Sequence, residues 1–419
     1  MLPANRLVPV ALALLLVLAG CGGAPGNGTA TNDAAGTPTA NGTATTTGDA
    51  SGTVTPERAS QDGAVAVENG TLRVNATRTF ARVQSLMGTD ADPRPVELRN
   101  LSEWRSSLPR VAAAPINDAL GFENVSANWS EPTGVTKFTG YVYVHPGEGS
   151  PQEVERVLAH EFTHSIQFQA NMFPWLDKLR TGRVTTDEAK TLRSLQEGGA
   201  VYVTDAYTRQ YLDVQRNSAF AREYMSKSPT HWSALAPYYF GSQYVASRID
   251  SPQQLPNVYD DRPNTTEQVI HNYTAREEPP ADLAVESNVS ASQWQYLGNN
   301  TLGEMTTRGS LGTELTQSRA ADAAAGWGTD EIAIFQHTGG DARYGWAWVH
   351  RWDDAGEADQ AASALRTFAE RRNDTSTDEF AVTRVSDGTT ALVFGDDAFV
   401  TNATVTGTTD DVTVAVGAR

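Results

Sequence analysis

In the first folded part of the chain, apolar and polar residues alternate. Further along, the apolar residues recur with the spacing of an α-helix. Residues 136–144 (TKFTGYVYV) alternate and are rich in β-forming side chains, so they predict a strand that ends at Pro146-Gly147. Shorter extended stretches are predicted at 64–67 and 72–74. A capping box at Thr185–Glu188 marks the start of a long helix. Together with this long helix, which covers about 185–212, apolar spacing predicts helices at about 152–170, 217–226 and 233–249.

The pattern changes again near residue 296. The preceding segment 251–296 is rich in Pro, Asn and Asp, and we interpret it as the connection between two units. Beyond it the order is α-β-β-α-β-β, with Asp387-Gly388 as a strong hairpin signal. The predicted elements are a helix at 314–325, strands at 332–336 and 345–350, a helix at 354–371, and strands at 380–385, 390–394, 399–405 and 412–416. These patterns predict an α+β protein with folded units at 63–295 and 296–419.

The first 62 residues are typical of an export signal followed by a tether. A basic residue, Arg6, precedes an apolar run too short to span a membrane comfortably, so we interpret residues 1–20 as a signal peptide. The run ends in Leu-Ala-Gly-Cys21, which resembles a lipobox, and Cys21 is the only cysteine of the chain. Lipidation there would anchor the protein without a spanning segment, whereas an ordinary signal peptide would leave no anchor. Residues 21–62 are nearly all small or polar and predict a low-complexity tether.

The charge of the chain limits its partners. The 419 residues carry a formal net charge of −18, which argues against nucleic acid and anionic lipid surfaces as partners. Few of the basic residues are lysines, and a Lys-poor, Asp-rich composition is typical of proteins that work in concentrated salt. Asn-x-Ser/Thr triplets recur along the chain and fit a glycosylated exterior. The oligomeric state stays open.

The candidate chemistry begins with the motif His160-Glu161-Phe-Thr-His164 on the first predicted helix. A spacing of four puts both imidazoles on one face of a helix, where they can share one zinc ion. Glu161 can lean toward that metal without binding it, and can serve as general base and then as general acid. Gln167 continues the same face, at a position suited to a supporting polar group. The alternative is a pair of surface histidines on an acidic helix.

A catalytic zinc ion needs a third protein ligand and one open position. Glu197 lies on the next long helix and precedes Gly198, Gly199 and Ala200, whose small side chains would let the two helices pack closely. Glu197 is therefore the predicted third ligand, unless it faces solvent. The less favoured carboxylates in the same region are Asp187, Glu188 and Asp205.

These motifs resemble the gluzincin branch of the zincin metallopeptidases, which uses an HExxH helix and a downstream Glu as third ligand. The resemblance covers about residues 150–250 and implies a zincin-like catalytic domain with bound Zn²⁺. In aminopeptidase-like gluzincins, a Tyr three residues before a Gly hydrogen-bonds the tetrahedral intermediate. Tyr238, ahead of Gly241, matches that position, with Tyr239 as the fallback and core packing as the alternative role. The nearest overall type is a haloarchaeal surface lipoprotein of unknown role.

The resemblance implies an exported zinc metallopeptidase, lipid-anchored on the outer face of the cell membrane, that acts on peptide or protein substrates. The alternative is a surface interaction lipoprotein on a zincin scaffold that has lost activity. Endopeptidase, exopeptidase and other hydrolase activities all stay open. The C-terminal αββαββ unit has no metal or nucleophile signature, so we expect it to pack against the catalytic domain or to recognise a partner. The remaining histidines are interpreted as structural, with His231 and His271 the best candidates for a role near the cleft.

Overall fold

The computed structural model describes residues 63–103, 115–122, 128–181, 184–226, 228–339 and 343–417. The predicted signal peptide, Cys21 and the whole of the predicted tether lie outside the described residues. Helices and strands both make up large parts of the fold, which confirms the predicted α+β class. Within the described ranges, no helix is both long enough and apolar enough to cross a membrane.

A four-stranded sheet forms the first layer of the fold. Its strands are β1 (Val67–Glu68), β2 (Val96–Leu98), β3 (Thr133–Thr136) and β4 (Val142–His145). Their order is β1-β2-β4-β3, with β1, β2 and β4 parallel and β3 antiparallel to β4 at the edge. The single strand predicted over 136–144 is wrong. The chain reverses between β3 and β4, where Gly140 adopts a φ of 80° and donates its N–H to the Lys137 carbonyl at 2.8 Å.

The N-terminal half also contains helices, one of which, the helix that begins at Pro151, packs directly on this sheet. In chain order they are α1 (Ala76–Met87), α2 (Pro115–Ala119), α3 (Pro151–Gln169), α4 (Leu176–Thr181), α5 (Thr186–Tyr211), α6 (Asn217–Met225) and α7 (Pro229–Arg248). The predictions of α3, α5 and α6 are confirmed to within one or two residues at each end. Helix α7 begins four residues earlier than predicted, since Ser228 caps it by accepting the His231 N–H.

Helix α1 was not predicted from the sequence. Its N-cap residue, Asn75, accepts the Arg78 N–H at 2.9 Å, and the helix ends at Gly88, which adopts the left-handed αL conformation. Phe80 and Val83 lie on its buried face, where Phe80 packs edge-on against Phe162 of α3. The apolar residues of α1, α3, α5 and the first sheet form one continuous core.

The segment 251–296 is more than a connection between two units. It contains a short 3₁₀ turn and two short helices, α8 (Leu255–Asp260) and α9 (Thr266–His271). It also contains strand β5 (Ala284–Val289) and the start of β6 (Trp294–Asn300). Both strands belong to C-terminal sheets, because β5 pairs with the last described strand of the chain, Asp411–Val416, and β6 pairs with the strand Trp327–His337.

The C-terminal part consists of two packed sheets and a helical layer. Its remaining elements are α10 (Glu304–Gly312), α11 (Gln317–Ala324), β7 (Trp327–His337), β8 (Tyr344–Trp352), α12 (Ala355–Thr375), β9 (Glu379–Arg384), β10 (Thr389–Gly395), α13 (Asp397–Asn402), β11 (Ala403–Gly407) and β12 (Asp411–Val416). A five-stranded antiparallel sheet has the order β6-β7-β8-β10-β9, and a second sheet has the order β11-β12-β5. The prediction of a strand over 399–405 is wrong for residues 399–402 and confirmed for residues 403–405. Asp396 caps a short helix there, and pairing begins only at Ala403.

The central strands of the five-stranded sheet are buried on both faces. Along β8, Trp346 and Trp348 pack with the helices, whereas Ala347 and Val349 pack with the three-stranded sheet. Three apolar residues of the N-terminal half also join the helix-side core, namely Ile116, Ala119 and Leu120. The two halves of the chain therefore share a buried boundary.

Candidate metal centre

Helix α3 carries the first two candidate ligands. Its start is fixed by a capping box, in which Ser150 and Glu153 bond each other's backbone N–H, and by Pro151 at the first helical position. His160 and His164 lie one turn apart on the same face, with ring centroids 4.7 Å apart. Both side chains are almost fully buried. The motif spacing therefore produces the paired imidazoles that the sequence predicted.

Glu197 of α5 completes a compact group of three donor atoms. Its Oε2 lies 3.2 Å from the Nε2 of His164 and 3.5 Å from the Nε2 of His160, and the two Nε2 atoms are 3.1 Å apart. Two donors bound to one tetrahedral ion at zinc distances stand about 3.3 Å apart. The three residues thus form a buried group that could hold a metal ion, with spacing that fits one ion.

The alternative carboxylates lie elsewhere. Glu188 pairs with Lys178 and Arg262 near the start of α5, and Asp205 accepts the Ser218 N–H at 3.3 Å. Asp187 accepts hydrogen bonds from the backbone and side chain of Thr266. In the described part of the chain, the group of His160, His164 and Glu197 is the one cluster of three potential ligands.

The two glycines after Glu197 face different neighbours, and only Gly199 lies against a residue of α3, as predicted. A Cβ on Gly198 would lie 2.2 Å from the backbone of Gly241, so this glycine permits close packing against α7 rather than α3. A Cβ on Gly199 would lie 2.2 Å from the Tyr259 hydroxyl and 3.0 Å from the Gln167 amide. Gly199 therefore leaves room for the polar group that supports His164.

Both imidazoles are oriented by amide side chains. Gln167 Oε1 lies 2.8 Å from the Nδ1 of His164, and the Gln167 amide group in turn donates to the Tyr259 hydroxyl at 2.7 Å. The Asn217 Nδ2 lies 3.3 Å from the Nδ1 of His160. At His164, the hydrogen bond from the Nδ1–H to Gln167 Oε1 fixes the tautomer, so that the Nε2 lone pair of this ring faces the common centre.

The charge balance favours an ionised Glu197. Burial raises the pKa of Glu197, but the charge of His164, hydrogen bonds from both imidazoles and the nearby Arg193 outweigh it. The net pKa lies well below the usual range of a glutamate. Arg193 is one helical turn before Glu197 and on the same face of α5. A divalent cation would take the place of the imidazole protons in this balance, with an anionic Glu197 and two neutral imidazoles as its ligands.

Glu161 lies between the metal group and the edge strand β3. Its Oε2 accepts the Thr136 hydroxyl at 2.6 Å, and its carboxyl interacts electrostatically with both imidazoles. Burial raises the pKa of Glu161, although the imidazoles and the Thr136 hydrogen bond oppose this rise. A Cβ on Gly134 would lie 2.4 Å from the Glu161 side chain, so only glycine leaves this space. Glu161 is thus held near the metal group without belonging to it.

Tyr238 lies on the other side of His160. It sits inside α7 rather than at its start, is almost fully buried, and stacks on the His160 ring with centroids 6.4 Å apart. Its hydroxyl is hydrogen-bonded to the Arg193 guanidinium. The fallback residue Tyr239 instead packs against the ring of Phe240.

The remaining histidines do not join this group. His231 contacts the capping Ser228 at 2.6 Å, and His271 pairs with Glu304. His145 bonds the Trp129 carbonyl, His337 contacts Arg343, and His350 is fully buried between two tryptophans of β8. The interpretation of His231 and His271 as cleft residues receives no support from these contacts.

The comparisons with known proteins concern mainly the C-terminal part. Residues 293–419 match a family described as a domain of unknown function (DUF8575). This match covers less than a third of the 419 residues and none of the candidate ligands. No curated protein and no solved structure shows a significant similarity to the chain.

Proposed function

We propose that the protein is a zinc-dependent peptide hydrolase, and that the chain from residue 63 to the start of β5 forms a zincin-like catalytic domain of the gluzincin type. The observation that carries this proposal is the convergence of His160, His164 and Glu197 within 3.5 Å of one another, with Glu161 beside them. Ligands from an HExxH helix and from a Glu on a second helix are the set that the sequence resemblance implies. Two imidazoles and one carboxylate are a donor set that catalytic zinc sites use.

Each side chain then has a definite task. When bound, zinc supplies Lewis-acid chemistry that polarises a carbonyl and makes a water molecule acidic near neutral pH. Glu161 accepts the proton of the attacking water and then delivers it to the leaving amine. The Thr136 hydroxyl keeps the Glu161 carboxyl in place through the 2.6 Å hydrogen bond.

Arg193 orients the proposed oxyanion donor. A guanidinium group can only donate, so the phenol oxygen of Tyr238 is the acceptor in their hydrogen bond. This bond does not use the phenol hydrogen. In the proposed reaction it stabilises the substrate oxygen as that atom becomes negative.

The metal site can be tested directly. The purified protein should hold about one zinc ion per chain, and His160→Ala or His164→Ala should empty the site, because two remaining ligands bind zinc weakly. Glu197→Ala should weaken zinc binding strongly. Zinc content after dialysis against a competing chelator measures both effects, and Glu188→Ala on the same helix is the matched control. Unchanged zinc affinity in Glu197→Ala would show that the third ligand lies elsewhere.

We also propose that Cys21 carries a lipid that anchors the protein on the outer face of the cell membrane. This proposal rests on the sequence alone, because Cys21 follows the apolar run at the position a lipobox requires. Cys21→Ser should release the protein into the medium or leave an uncleaved precursor. Membrane fractionation and the mass of the mature N-terminus measure this. A membrane-bound protein of unchanged N-terminal mass would contradict lipidation.

A further inference from the structure

We infer that the boundary between the two halves of the chain contains a proton-dependent joint, in which the buried side chain of Glu267 keeps a proton at neutral pH and loses it under alkaline conditions. Loss of this proton is expected to loosen α9 from α10. The inference does not depend on the proposed hydrolase function.

Glu267 is buried without a partner. It is the second residue of α9 and is 2% exposed. Its carboxyl group makes neither a hydrogen bond nor an ion pair with another described residue. A buried carboxylate without a partner is strongly unfavourable, whereas the protonated form carries no charge and can donate a hydrogen bond. The position therefore favours the neutral acid.

The charges around Glu267 act in the same direction. They are carboxylates from four segments, namely Glu304 at the start of α10, Asp353 after β8, Glu278 in the loop after α9, and Asp187 of α5. Burial, followed by repulsion from these carboxylates, raises the pKa of Glu267 to about 9.

The cations nearest to this cluster are engaged with Glu304. Arg308 of α10 donates to the Glu304 carboxylate at 2.6 Å, and the Nε2 of His271, at the end of α9, lies 3.2 Å from it. These contacts compensate the charge of Glu304, which is fully buried. They leave Glu267 without a cation of its own.

The other elements packed on α9 do not supply this cation either. Lys190 of α5 donates to a threonine hydroxyl of α10 at 2.9 Å, and Arg248 of α7 donates to a backbone carbonyl beyond the end of α9 at 2.6 Å. Tyr273, in the loop after α9, faces the same acidic residues. A shared metal ion is not the neutralising group, because apart from the candidate metal centre no three potential ligands of the described residues lie within 4.8 Å of one another.

Glu267 lies where the two halves of the chain meet. The preceding residue, Thr266, donates its hydroxyl to Asp187 of α5 at 2.5 Å and accepts the N–H of Met305 of α10 at 3.2 Å. A second negative charge beside Glu304 would repel α10 from α9 at this point. Alkaline pH should therefore weaken the contact between the proposed catalytic domain and the C-terminal part.

The direction of the pH dependence follows from the two states of Glu267. The unfolded chain releases the proton near the ordinary pKa of 4.5, whereas the folded protein releases it near pH 9. Between these pH values unfolding releases a proton, so the unfolding constant rises by up to about tenfold per pH unit. Glu267→Gln keeps the size of the side chain and does not ionise, so this variant should lack that dependence.

The experiment compares urea unfolding of the zinc-loaded wild type and Glu267→Gln at pH 6 and pH 8, at constant high salt. The ratio of the wild-type to the variant unfolding constant should rise about 10²-fold between these pH values. Protons bound at the metal centre affect both proteins alike and cancel in this ratio. At pH 8, the amides of α9 and α10 should exchange hydrogen faster in wild type than in Glu267→Gln. The control Glu286→Gln changes an exposed glutamate of β5 and should keep the wild-type pH dependence.

Infrared spectroscopy detects the proton itself, because a neutral carboxyl group has a carbonyl band that a carboxylate lacks. At pH 8 wild type should show this band, and Glu267→Gln should lose it. A stability ratio that does not change with pH, or a wild type without the band, would overturn the inference. If Glu267→Gln does not fold, infrared titration of the wild type decides: a band that disappears near pH 9 supports the joint, and a band absent from pH 7 upwards refutes it.

Discussion

Replacing Glu161 by Gln is expected to lower peptide hydrolysis by about 10²–10⁴-fold while zinc stays bound. Gln has the size of Glu, and its carbonyl oxygen can still accept the Thr136 hydroxyl that now bonds Oε2 at 2.6 Å. The amide cannot accept a proton from water at neutral pH, so only the proton transfer is lost. Rates on a peptide library in concentrated salt, measured beside zinc content and thermal stability, test this expectation.

The matched control for this change lies on the same helix. Glu153 also accepts a backbone N–H as part of the capping box, and Gln serves this role nearly as well. Glu153→Gln should therefore leave activity, zinc content and stability near the wild-type values. A general effect of removing one negative charge from α3 would lower activity in both variants, whereas loss of the base affects Glu161→Gln alone.

The possible outcomes separate the two candidate functions. Loss of zinc in Glu161→Gln would mean that Glu161 is a ligand or a structural residue, and the assigned proton transfer would be wrong. Equal, undetectable cleavage by zinc-loaded wild type and variant would favour a surface interaction protein on an inactive zincin scaffold. A large fall in rate with zinc retained would establish the hydrolase.

The ligand set could be predicted because its determinants are local. The four-residue spacing of His160 and His164 fixes their geometry once the helix is recognised, and α3 has clear start signals in Ser150 and Pro151. Glu197 required one further step, because it comes from a second helix. The glycines that drew attention to it prove to contact Gly241 and Tyr259 rather than the backbone of α3.

The supporting residues could not be predicted, because packing between distant segments brings them to the site. Asn217 and Tyr259 lie far along the chain from the imidazoles that they help to orient. Thr136 was assigned to the start of a strand over 136–144, which concealed that it ends β3 beside Glu161. Arg193 was within reach of sequence reasoning, since it lies one helical turn before Glu197.

The fold itself shows the same division between local and distant signals. The long helices follow from capping and apolar spacing, whereas the turn at Gly140 depends on a single residue with positive φ inside an alternating stretch. Strand β5 has the alternating half-exposed pattern of a strand but lies in a Pro-rich segment. Its identity depends on its partner β12, more than a hundred residues later in the chain.

Replacing Asp330 by Ala is expected to lower the free energy of unfolding by about 3–5 kcal/mol, because each buried donor left unsatisfied costs about 1–3 kcal/mol. The carboxylate of Asp330 is 2% exposed and accepts four N–H groups, two on each oxygen. The donors are the backbone N–H groups of Leu302 and Gly303, at 2.8 and 2.7 Å, and the indoles of Trp327 and Trp348, at 2.9 and 2.8 Å. Alanine would leave all four buried donors without this acceptor, which costs far more than the loss of one exposed contact.

Asp330→Asn should be nearly as harmful, although it preserves the shape of the side chain. Whichever way the amide is oriented, its NH₂ group faces two N–H donors in place of an acceptor. The matched control is Asp359→Ala, because Asp359 is largely exposed and pairs with Arg384 at the surface. Urea unfolding at constant high salt should show a change of less than about 1 kcal/mol for this control. Asp330 variants as stable as wild type would show that the four donors find other partners.

The destabilisation caused by Asp330→Ala should extend to the candidate metal centre. The segment Thr301–Gly303, which the carboxylate holds, also contacts the start of α5, because the Asp187 N–H donates to the Thr301 carbonyl at 3.0 Å. Helix α5 carries Glu197 ten residues further on, so loosening its start reduces the precision of the ligand set. Asp330→Ala should therefore release zinc at a lower temperature than wild type, by about 10 °C if metal loss follows unfolding. Following zinc release with a chromogenic chelator during heating, alongside circular dichroism, tests this coupling. If the variant unfolds early in the C-terminal sheets but keeps its zinc to the wild-type temperature, the two halves of the chain are energetically independent.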